Sequence, residues 1–203
     1  MQITGAEFAL SSTDVNKCPK THFPEFAFIG RSNVGKSSLI NMLCGKTLAH
    51  TSGKPGKTRL INHFLINKTW YVVDLPGYGY ASVAKMARVE FEKFISFYLL
   101  ERKNLVSVFV LIDVRLPLQP IDAQFMQWLG EEEIPFCIAF TKTDKLSKTE
   151  LHKNFALFQK QMLATWEEMP EFFISSAEKK TGKEDILAYI EENITIYNAH
   201  LKK

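Results

Sequence analysis

The run G-R-S-N-V-G-K-S at residues 30–37 constrains this chain more than any other feature. The apolar segment 26–29 comes directly before it and predicts a buried strand, and the apolar side chains of residues 36–43 repeat at helical spacing. A glycine-rich turn between a strand and a helix lets backbone N–H groups surround an anion at the positive end of the helix. Because the run fits G-x-x-x-x-G-K-[ST] at every fixed position, the sequence predicts a P-loop, the phosphate-binding loop of nucleotide triphosphatases.

The residues of this loop have distinct predicted roles. Lys36 is expected to reach the β- and γ-phosphates of a bound nucleotide, and the Ser37 hydroxyl is expected to be a ligand of Mg²⁺. The order of strand, loop and helix disfavours the alternative, which is a chance glycine turn before a helix. The residues predicted to contact the nucleotide here are Gly30, Arg31, Ser32, Asn33, Val34, Gly35, Lys36, Ser37 and Ser38.

A second motif, D-L-P-G, stands at the end of the predicted strand 69–74. Ligands bind at the carboxyl edge of parallel α/β sheets, so an acidic residue at this point faces the same site as the P-loop. Asp74 is expected to hold the metal ion through a water molecule, and the backbone N–H of Gly77 is expected to approach the γ-phosphate. The nucleotide contacts predicted here are Asp74, Leu75, Pro76 and Gly77.

Between these two motifs lies a basic loop that contains P-G-K-T at residues 55–58. The Thr58 hydroxyl could close on Mg²⁺ only while the γ-phosphate is present, which would make this loop a sensor of the nucleotide. The alternative is a solvated loop residue, and the two flanking motifs favour the sensor. The contacts predicted here are Gly56, Lys57, Thr58, Arg59 and Leu60, and the predicted catalytic residues are Lys36, Thr58 and Gly77.

A fourth motif, T-K-T-D at residues 141–144, predicts that the base is guanine. The Asp144 carboxylate is acceptor-only and can take the two N–H donors that guanine presents on one edge, whereas adenine has no such pair. The aliphatic stem of Lys142 can lie across the base, and backbone N–H groups after the next strand can face the guanine O6. These features argue against a P-loop kinase or ATPase. The predicted base contacts are Thr141, Lys142, Thr143, Asp144, Ser175, Ser176 and Ala177.

Strand and helix patterns alternate along the chain, which predicts an α/β fold. The expected architecture is a P-loop NTPase G domain with a mostly parallel six-stranded sheet, one antiparallel edge strand and helices on both faces. Residues 1–22 are expected to form an N-terminal extension that could add a short edge strand, and residues 23–203 a single GTP-binding G domain. The predicted strands are 26–29, 60–66, 69–74, 106–113, 135–140 and 172–174, and the predicted helices are 36–43, 87–101, 120–130, 148–168 and 183–197.

Composition excludes several classes of protein. The three cysteines are far apart and show no C-x-x-C spacing, so neither a zinc site nor a disulfide framework is expected, and a reducing cytosol fits best. The N-terminus lacks the pattern of a signal peptide, and the longest apolar run, 106–112, is far too short to span a membrane. Residues 1–103 hold fourteen Lys/Arg and seven Asp/Glu. This basic half favours an anionic partner, although phosphate-handling loops and ordinary surface lysines account for it equally well.

Five motifs in this order resemble the Era-like group of translation-factor-related G proteins. The segments GRSNVGKSSLIN, PGKT-R, DLPGYGYA, TKTD and SSA resemble the bacterial EngB (YihA/YsxC-type) GTPases more closely, over roughly residues 22–198. This resemblance implies a cytoplasmic bacterial GTPase that uses Mg²⁺ and acts in assembly of the large ribosomal subunit. It also implies a link to cell division and septation, with rRNA and ribosomal proteins as partners. We expect the chain to be a monomer.

Hydrolysis is expected to be slow in the isolated protein. Many small GTPases orient the attacking water with a glutamine directly after D-x-x-G, and this position is Tyr78 here. A partner or an ion would then complete the reaction. Asn33 is a candidate ligand of K⁺ because related K⁺-stimulated G domains bind a monovalent cation through an asparagine at this place; the alternative is that Asn33 only stabilises the turn. Thr141 replaces the more usual asparagine of the base motif, so its tie to the P-loop is expected to differ.

Two alternatives stay open on partner binding. Tyr78 and Tyr80 could form a mobile aromatic loop that stacks on exposed RNA bases, or they could pack inward in one nucleotide state.

Arg31 is expected to face a partner rather than to act as an arginine finger within the chain. A second function is a nucleotide-gated module that binds the ribosome or RNA with negligible hydrolysis of its own.

Overall fold

The computed structural model describes residues 1–49, 60–78 and 85–201, without the side chains of residues 85–92. Four of the predicted nucleotide contacts and one of the two predicted loop tyrosines lie outside the described residues. These are Gly56, Lys57, Thr58, Arg59 and Tyr80.

Within the described ranges, seven strands form one central sheet. The strand order is β1-β3-β4-β2-β5-β6-β7; β2, β4, β5, β6 and β7 run parallel, and β3 is antiparallel to both of its neighbours. The predicted α/β fold is therefore confirmed, and the sheet has seven strands rather than six. The strands are β1 (Ala6–Ser12), β2 (Glu25–Gly30), β3 (Ile61–Ile66), β4 (Trp70–Asp74), β5 (Leu105–Asp113), β6 (Phe136–Thr141) and β7 (Phe172–Ile174).

The seventh strand is β1, which lies in the predicted N-terminal extension. It pairs antiparallel with β3 from Ala6 opposite Ile66 to Ser12 opposite Ile61, so β3 is one strand in from the edge. The Asn67 side chain, in the hairpin after β3, accepts a hydrogen bond from the Thr4 backbone N–H at 2.8 Å. The sequence signal of β1 is weak because an edge strand covered on few sides needs little apolar alternation.

In the part of the chain that the structure describes, five α-helices cover the two faces of the sheet. One apolar core lies under α2, α3 and α4, and the other lies under α1 and α5. Successive residues of β2 point to opposite cores, as the two-residue period of a strand requires. Among the described residues, no helix is long and apolar enough to cross a membrane. The helices are α1 (Lys36–Cys44), α2 (Lys85–Glu101), α3 (Pro120–Glu131), α4 (Lys148–Met162) and α5 (Lys183–Leu201).

The fourth helix is shorter than the sequence predicts. It ends at Met162 instead of residue 168, and the chain then turns back toward the sheet. The Trp166 ring packs edge-on against Phe136 with 5.6 Å between ring centroids, and it lies so close to Gly130 that an added Cβ there would be 2.9 Å away. This tertiary packing of a large aromatic residue overrides the helical pattern of the segment.

A buried ionic cluster lies at the amino end of β2, the end opposite the P-loop. Glu25 has no exposed surface, and its carboxylate accepts a hydrogen bond from Tyr98 Oη at 2.6 Å and from Arg102 Nε at 3.1 Å. His63 Nε2 lies 3.4 Å from the same carboxylate. Burial opposes ionisation of Glu25, but the contacts with His63 and Arg102 outweigh it and hold the pKa at about 2. The cluster therefore keeps a charged carboxylate inside the fold.

The three cysteines are buried and free. Cys18, Cys44 and Cys137 form no disulfide. Burial raises the pKa of Cys18 to about 11 and that of Cys44 to about 12, so both remain neutral thiols at physiological pH. They act as small apolar core residues.

Candidate functional site

Four of the five predicted motifs meet at one edge of the sheet, at the carboxyl ends of β2, β4, β6 and β7, and the P-G-K-T motif lies outside the described residues. A cavity of about 710 Å³ opens there, between the P-loop and the loops that follow β6 and β7. This size is in the usual range for small-molecule pockets. Residues of three predicted motifs line it, together with the end of α1: Gly35, Ser38, Asn41, Lys142, Asp144 and Ala177.

The P-loop has the backbone conformation that its glycines predict. Gly35 has a φ of 107°, a conformation that side chains disfavour, and it leads directly into α1. Leu39 N donates to the Gly35 carbonyl at 2.9 Å, which begins the helix. Gly30 lies against β5, where an added Cβ would be 2.8 Å from the Leu111 carbonyl oxygen. The first turn of α1 thus presents its free N–H groups at this edge of the sheet.

The D-x-x-G segment lies directly beside the P-loop. A Cβ added at Gly77 would be only 2.6 Å from the Gly30 carbonyl oxygen, so no larger residue fits without a shift of backbone. Asp74 is buried at the end of β4, and its carboxylate forms an ion pair with Lys36. The structure therefore brings Lys36, Asp74 and Gly77 together, as the sequence predicts.

The oxygen atoms at this point fit a hard divalent cation. Ser37 stands in the first turn of α1, and the Asp74 carboxylate, held against the Lys36 ammonium, shows that the position accommodates positive charge. Within the described ranges no group of three or more His, Cys, Asp or Glu could hold a metal ion. Mg²⁺ is commonly held by one or two protein oxygens, because it keeps several waters and takes substrate phosphates as ligands.

The Asp144 carboxylate is held ionised at the mouth of the cavity. Ser176 Oγ donates to Asp144 Oδ1 at 2.6 Å, and Lys145 Nζ lies 3.0 Å from Oδ2. The hydrogen bonds from Ser176 and Lys145 lower the pKa of Asp144 to about 2. Thr143 Oγ1 donates to the Ser175 carbonyl at 3.0 Å and joins the two base-motif loops. This arrangement presents an acceptor-only group for paired N–H donors.

Thr141 ties the base motif to the P-loop. Its buried hydroxyl donates to the Val34 carbonyl at 2.6 Å. Lys142, in a left-handed conformation with φ of 62°, donates from Nζ to the Asn33 carbonyl at 2.5 Å. The tie is thus present with threonine in place of asparagine, and it runs through a hydroxyl rather than an amide.

Asp113, at the end of β5, is a residue of the site that the motifs did not predict. Its buried carboxylate accepts hydrogen bonds from Lys142 Nζ at 2.9 Å and from Arg115 Nη2 at 2.7 Å. Burial opposes its ionisation, but the bonds from Arg115 and Lys142 lower its pKa. The signal that could have found it is the one that found Asp74, an acidic residue at the carboxyl end of a buried strand.

Asn41 is a second residue that the motifs did not predict. Its side-chain oxygen accepts from the backbone N–H groups of Leu48 and Ala49, both at 2.8 Å, and its Nδ2 donates to the Ala49 carbonyl at 2.9 Å. These bonds hold the chain after α1 along one wall of the cavity. The sequence signal that could have identified Asn41 is that it is a polar residue among the apolar positions of a short helix.

The structure adds detail to two predicted residues. Arg31 is only partly exposed, since its Nε donates to the buried Asp122 at 3.0 Å and its side chain is 24% exposed; its predicted contact with a partner stays a prediction. Tyr78 packs on Phe125 with 4.8 Å between ring centroids, and its hydroxyl is buried. Of the two alternatives for Tyr78, the structure has the inward one. Leu60, a predicted contact, is 37% exposed directly before β3.

Fold and site together define a class. A parallel sheet with a P-loop, a D-x-x-G segment beside it and an ionised T-K-x-D carboxylate at one edge is the arrangement of a GTPase G domain. Residues 25–142 match the family model described as 50S ribosome-binding GTPase.

The curated relatives identify the family within this class. The chain is 60% identical to a probable GTP-binding protein EngB of Christiangramia forsetii over 94% of this chain and 97% of that protein. It is 56% identical to a probable GTP-binding protein EngB of Bacteroides fragilis over 94% of this chain and 96% of that protein. The chain belongs to the EngB family of GTP-binding proteins.

Solved structures agree with this fold. A crystal structure of a probable GTP-binding protein EngB covers 84% of this chain and 98% of its own length, with 26% identity and a TM-score of 0.68. A structure of Era in complex with MgGDPNP and a segment of 16S ribosomal RNA covers 84% of this chain and 56% of its own length. Its TM-score is 0.67, and its 21% identity shows likeness of fold alone.

Proposed function

We propose that this chain binds GTP with Mg²⁺ and hydrolyses it to GDP and phosphate as a molecular switch. The observation that carries the proposal is the convergence of Lys36, Gly77 and Asp144 on one edge of the sheet. A cation, a backbone donor beside the P-loop and an acceptor for the base are the groups that a guanine nucleotide needs. Membership of the EngB family supports the same function.

The residues have separate proposed roles in this reaction. Lys36 neutralises charge on the β- and γ-phosphates, and the Gly77 N–H receives the γ-phosphate. Ser37 and Thr58 would ligate Mg²⁺ directly, and Asp74 would hold it through water; the metal would neutralise charge that develops on the phosphates. Thr58 lies outside the described residues, so its role rests on the sequence alone.

Slow intrinsic turnover is part of the proposal. Tyr78 occupies the place of the water-orienting glutamine, and its ring is packed against Phe125 on α3. K⁺ bound through Asn33 is a candidate for the missing charge. The alternative is that Asn33 only supports the turn. Two observations favour it: Asn33 has a φ of 61°, and its carbonyl accepts a hydrogen bond from Lys142. Hydrolysis that is equally fast in KCl and NaCl would remove K⁺ from the proposal.

The large ribosomal subunit or its precursors are the proposed partner in the bacterial cytoplasm. Support comes from the family description, 50S ribosome-binding GTPase, and from the rRNA complex of Era, a protein of the same fold. In this proposal the GTP form engages rRNA and ribosomal proteins as a monomeric G domain, and hydrolysis releases it; a role in cell division and septation follows from the family resemblance. The second candidate is a nucleotide-gated binding module with negligible hydrolysis, which the inward Tyr78 favours.

One experiment separates these two candidates. The protein is sedimented with large ribosomal subunits in GDP and in a non-hydrolysable GTP analogue, and GTP and ATP hydrolysis are measured with and without the subunits. We expect association mainly with the analogue and stimulation of GTP hydrolysis alone. Association without any stimulated hydrolysis supports the binding module, and equal association in both nucleotides contradicts the switch. ATP hydrolysis as fast as GTP hydrolysis contradicts the base assignment.

A further inference from the structure

A buried cluster on α3 joins the P-loop to the residue after D-x-x-G. Arg31 Nε donates to Asp122 Oδ2 at 3.0 Å, and Asp122, in the first turn of α3, is 1% exposed. One turn further along α3, Phe125 packs on the Tyr78 ring, and Arg31 and Tyr78 also pair through an isolated parallel β-bridge. These four residues, Arg31, Tyr78, Asp122 and Phe125, are called the α3 node.

Two polar atoms of the node are buried without a well-formed hydrogen bond. They are Tyr78 Oη and Asp122 Oδ1. Burial raises the pKa of Tyr78, and the Asp122 carboxylate beside it raises that pKa further, so Tyr78 keeps its proton. A buried carboxylate oxygen without a partner is costly, and a neighbouring hydroxyl is the donor that satisfies it after a small movement. The unsatisfied Asp122 oxygen thus favours a position of Tyr78 against α3.

The place of Tyr78 fixes the place of Gly77. The two residues are adjacent in the chain, and Gly77 is so close to the P-loop that an added Cβ would be 2.6 Å from the Gly30 carbonyl oxygen and 3.6 Å from Ser32 N. Arg31, bonded to Asp122, holds the P-loop side of this contact, and Phe125 holds Tyr78 on the other side. The node therefore supports, from behind, the backbone that is proposed to receive the γ-phosphate.

We propose that Asp122 and Phe125 are positioning residues that favour GTP over GDP. They act through Tyr78 and Arg31, which keep the Gly77 N–H aimed at the γ-phosphate before the nucleotide arrives; such preorganisation strengthens binding by lowering the ordering cost. GDP lacks the γ-phosphate and gains nothing from this placement. The inference rests on the proposed function, because it takes Gly77 as a γ-phosphate contact.

The test is a comparison of two dissociation constants by calorimetry, for a non-hydrolysable GTP analogue and for GDP. Asp122→Asn weakens the charge-assisted hydrogen bond from Arg31, and Phe125→Leu removes the aromatic contact with Tyr78. In each variant we expect the analogue to bind about tenfold more weakly, with GDP affinity within about twofold of wild type. Phe155→Leu is the matched control: Phe155 is a half-buried aromatic residue on α4 that packs on Phe140 at 5.5 Å. Its two affinities should stay at wild-type values.

A double-mutant cycle tests whether Arg31 and Asp122 affect binding of the analogue through their mutual contact. Arg31→Gln combined with Asp122→Asn should weaken analogue binding no more than the stronger single variant, since each single variant already abolishes the same ion pair. Should Asp122→Asn fail to fold, Tyr78→Phe, which keeps the ring and removes the hydroxyl, carries the same comparison. Equal loss of both nucleotides in folded variants, or no loss of either, overturns the node alone. A wild-type chain that binds neither guanine nucleotide overturns the proposed function with it.

Discussion

Asp144 depends on a neighbour whose role the sequence did not indicate. The residue itself is predicted from T-K-x-D, and Ser176 is predicted only as a source of a backbone N–H. In the structure the Ser176 hydroxyl donates to Asp144 and, with Lys145, keeps its carboxylate charged. A contact between residues 32 positions apart in the chain has no local pattern, so only the fold could reveal it. Asp122 was missed for the same reason, because its partner Arg31 lies 91 positions away in the chain.

Replacement of this carboxylate should change the preferred base. In Asp144→Asn the side-chain amide offers one donor and one acceptor, so it cannot take both N–H donors of guanine, but it can pair with the additional carbonyl of xanthine. We expect GDP affinity to fall at least about 100-fold, the loss of two charge-assisted hydrogen bonds, and XDP affinity to rise. Calorimetry with GDP, XDP and ADP measures this.

Asp185→Asn is the control for that substitution, because Asp185 is an exposed carboxylate in the first turn of α5. Its base preference should match that of the wild type. If Asp144→Asn keeps its preference for GDP, Asp144 does not select the base.

At the scale of elements, strands and helices with a strong apolar pattern were predictable, whereas the edge strand β1 and the end of α4 were not. The apolar strands β2, β5 and β6 and the helix α1 lie where the sequence predicts them, because buried parallel strands are near-continuous apolar runs. The sequence of β1 indicates only a possible strand, since its exposed edge relaxes the pattern, and α4 ends early because Trp166 packs under Gly130. Tertiary contacts decide where such helices and strands end, and these contacts cannot be predicted from local sequence patterns.

The ends of β5 and β6 should act together on the base site. Asp113, at the end of β5, holds Lys142, whose stem is proposed to cover the base. In Asp113→Asn this charged contact is weakened, so we expect GTP and GDP to bind about tenfold more weakly by the same factor. Fluorescent nucleotide titration measures both constants.

Arg115→Gln is the matched control, since Arg115 pairs with the same carboxylate but is 42% exposed, and exposed ion pairs contribute little. Its affinities should stay within about twofold of wild type. Wild-type affinities in Asp113→Asn would show that Lys142 needs no support from β5.

At the scale of the whole molecule, charge is divided between two ends of the sheet. The carboxyl ends of the strands hold the proposed nucleotide site, and the amino end of β2 holds the buried Glu25 with Tyr98 and Arg102. The second cluster lies far from the proposed chemistry and contributes to stability. Because the folded state holds the Glu25 pKa at about 2, below its ordinary value of 4.5, ionised Glu25 stabilises the fold above about pH 4.5, and this contribution is lost as the pH falls toward 2.

Acid unfolding should report this contribution. Glu25→Gln removes the buried charge, so we expect its free energy of unfolding at pH 7 to be lower than that of wild type by about 3 kcal/mol, and the difference to shrink between about pH 4.5 and pH 2. Urea unfolding at a series of pH values measures it. Glu7→Gln, at an exposed position of β1, is the control and should match wild type throughout. A difference that is constant with pH would contradict the assignment.

The bond from the Thr141 hydroxyl to the Val34 carbonyl has a consequence for nucleotide analogues. It joins the loop that is proposed to bind the base to the loop that is proposed to bind the phosphates, so the protein itself sets the distance between these two loops. If a ligand carries a longer or shorter spacer in place of ribose, the two loops cannot move independently of each other to bind it. Inhibitors of this family should therefore keep the natural spacing and vary only what projects into solvent.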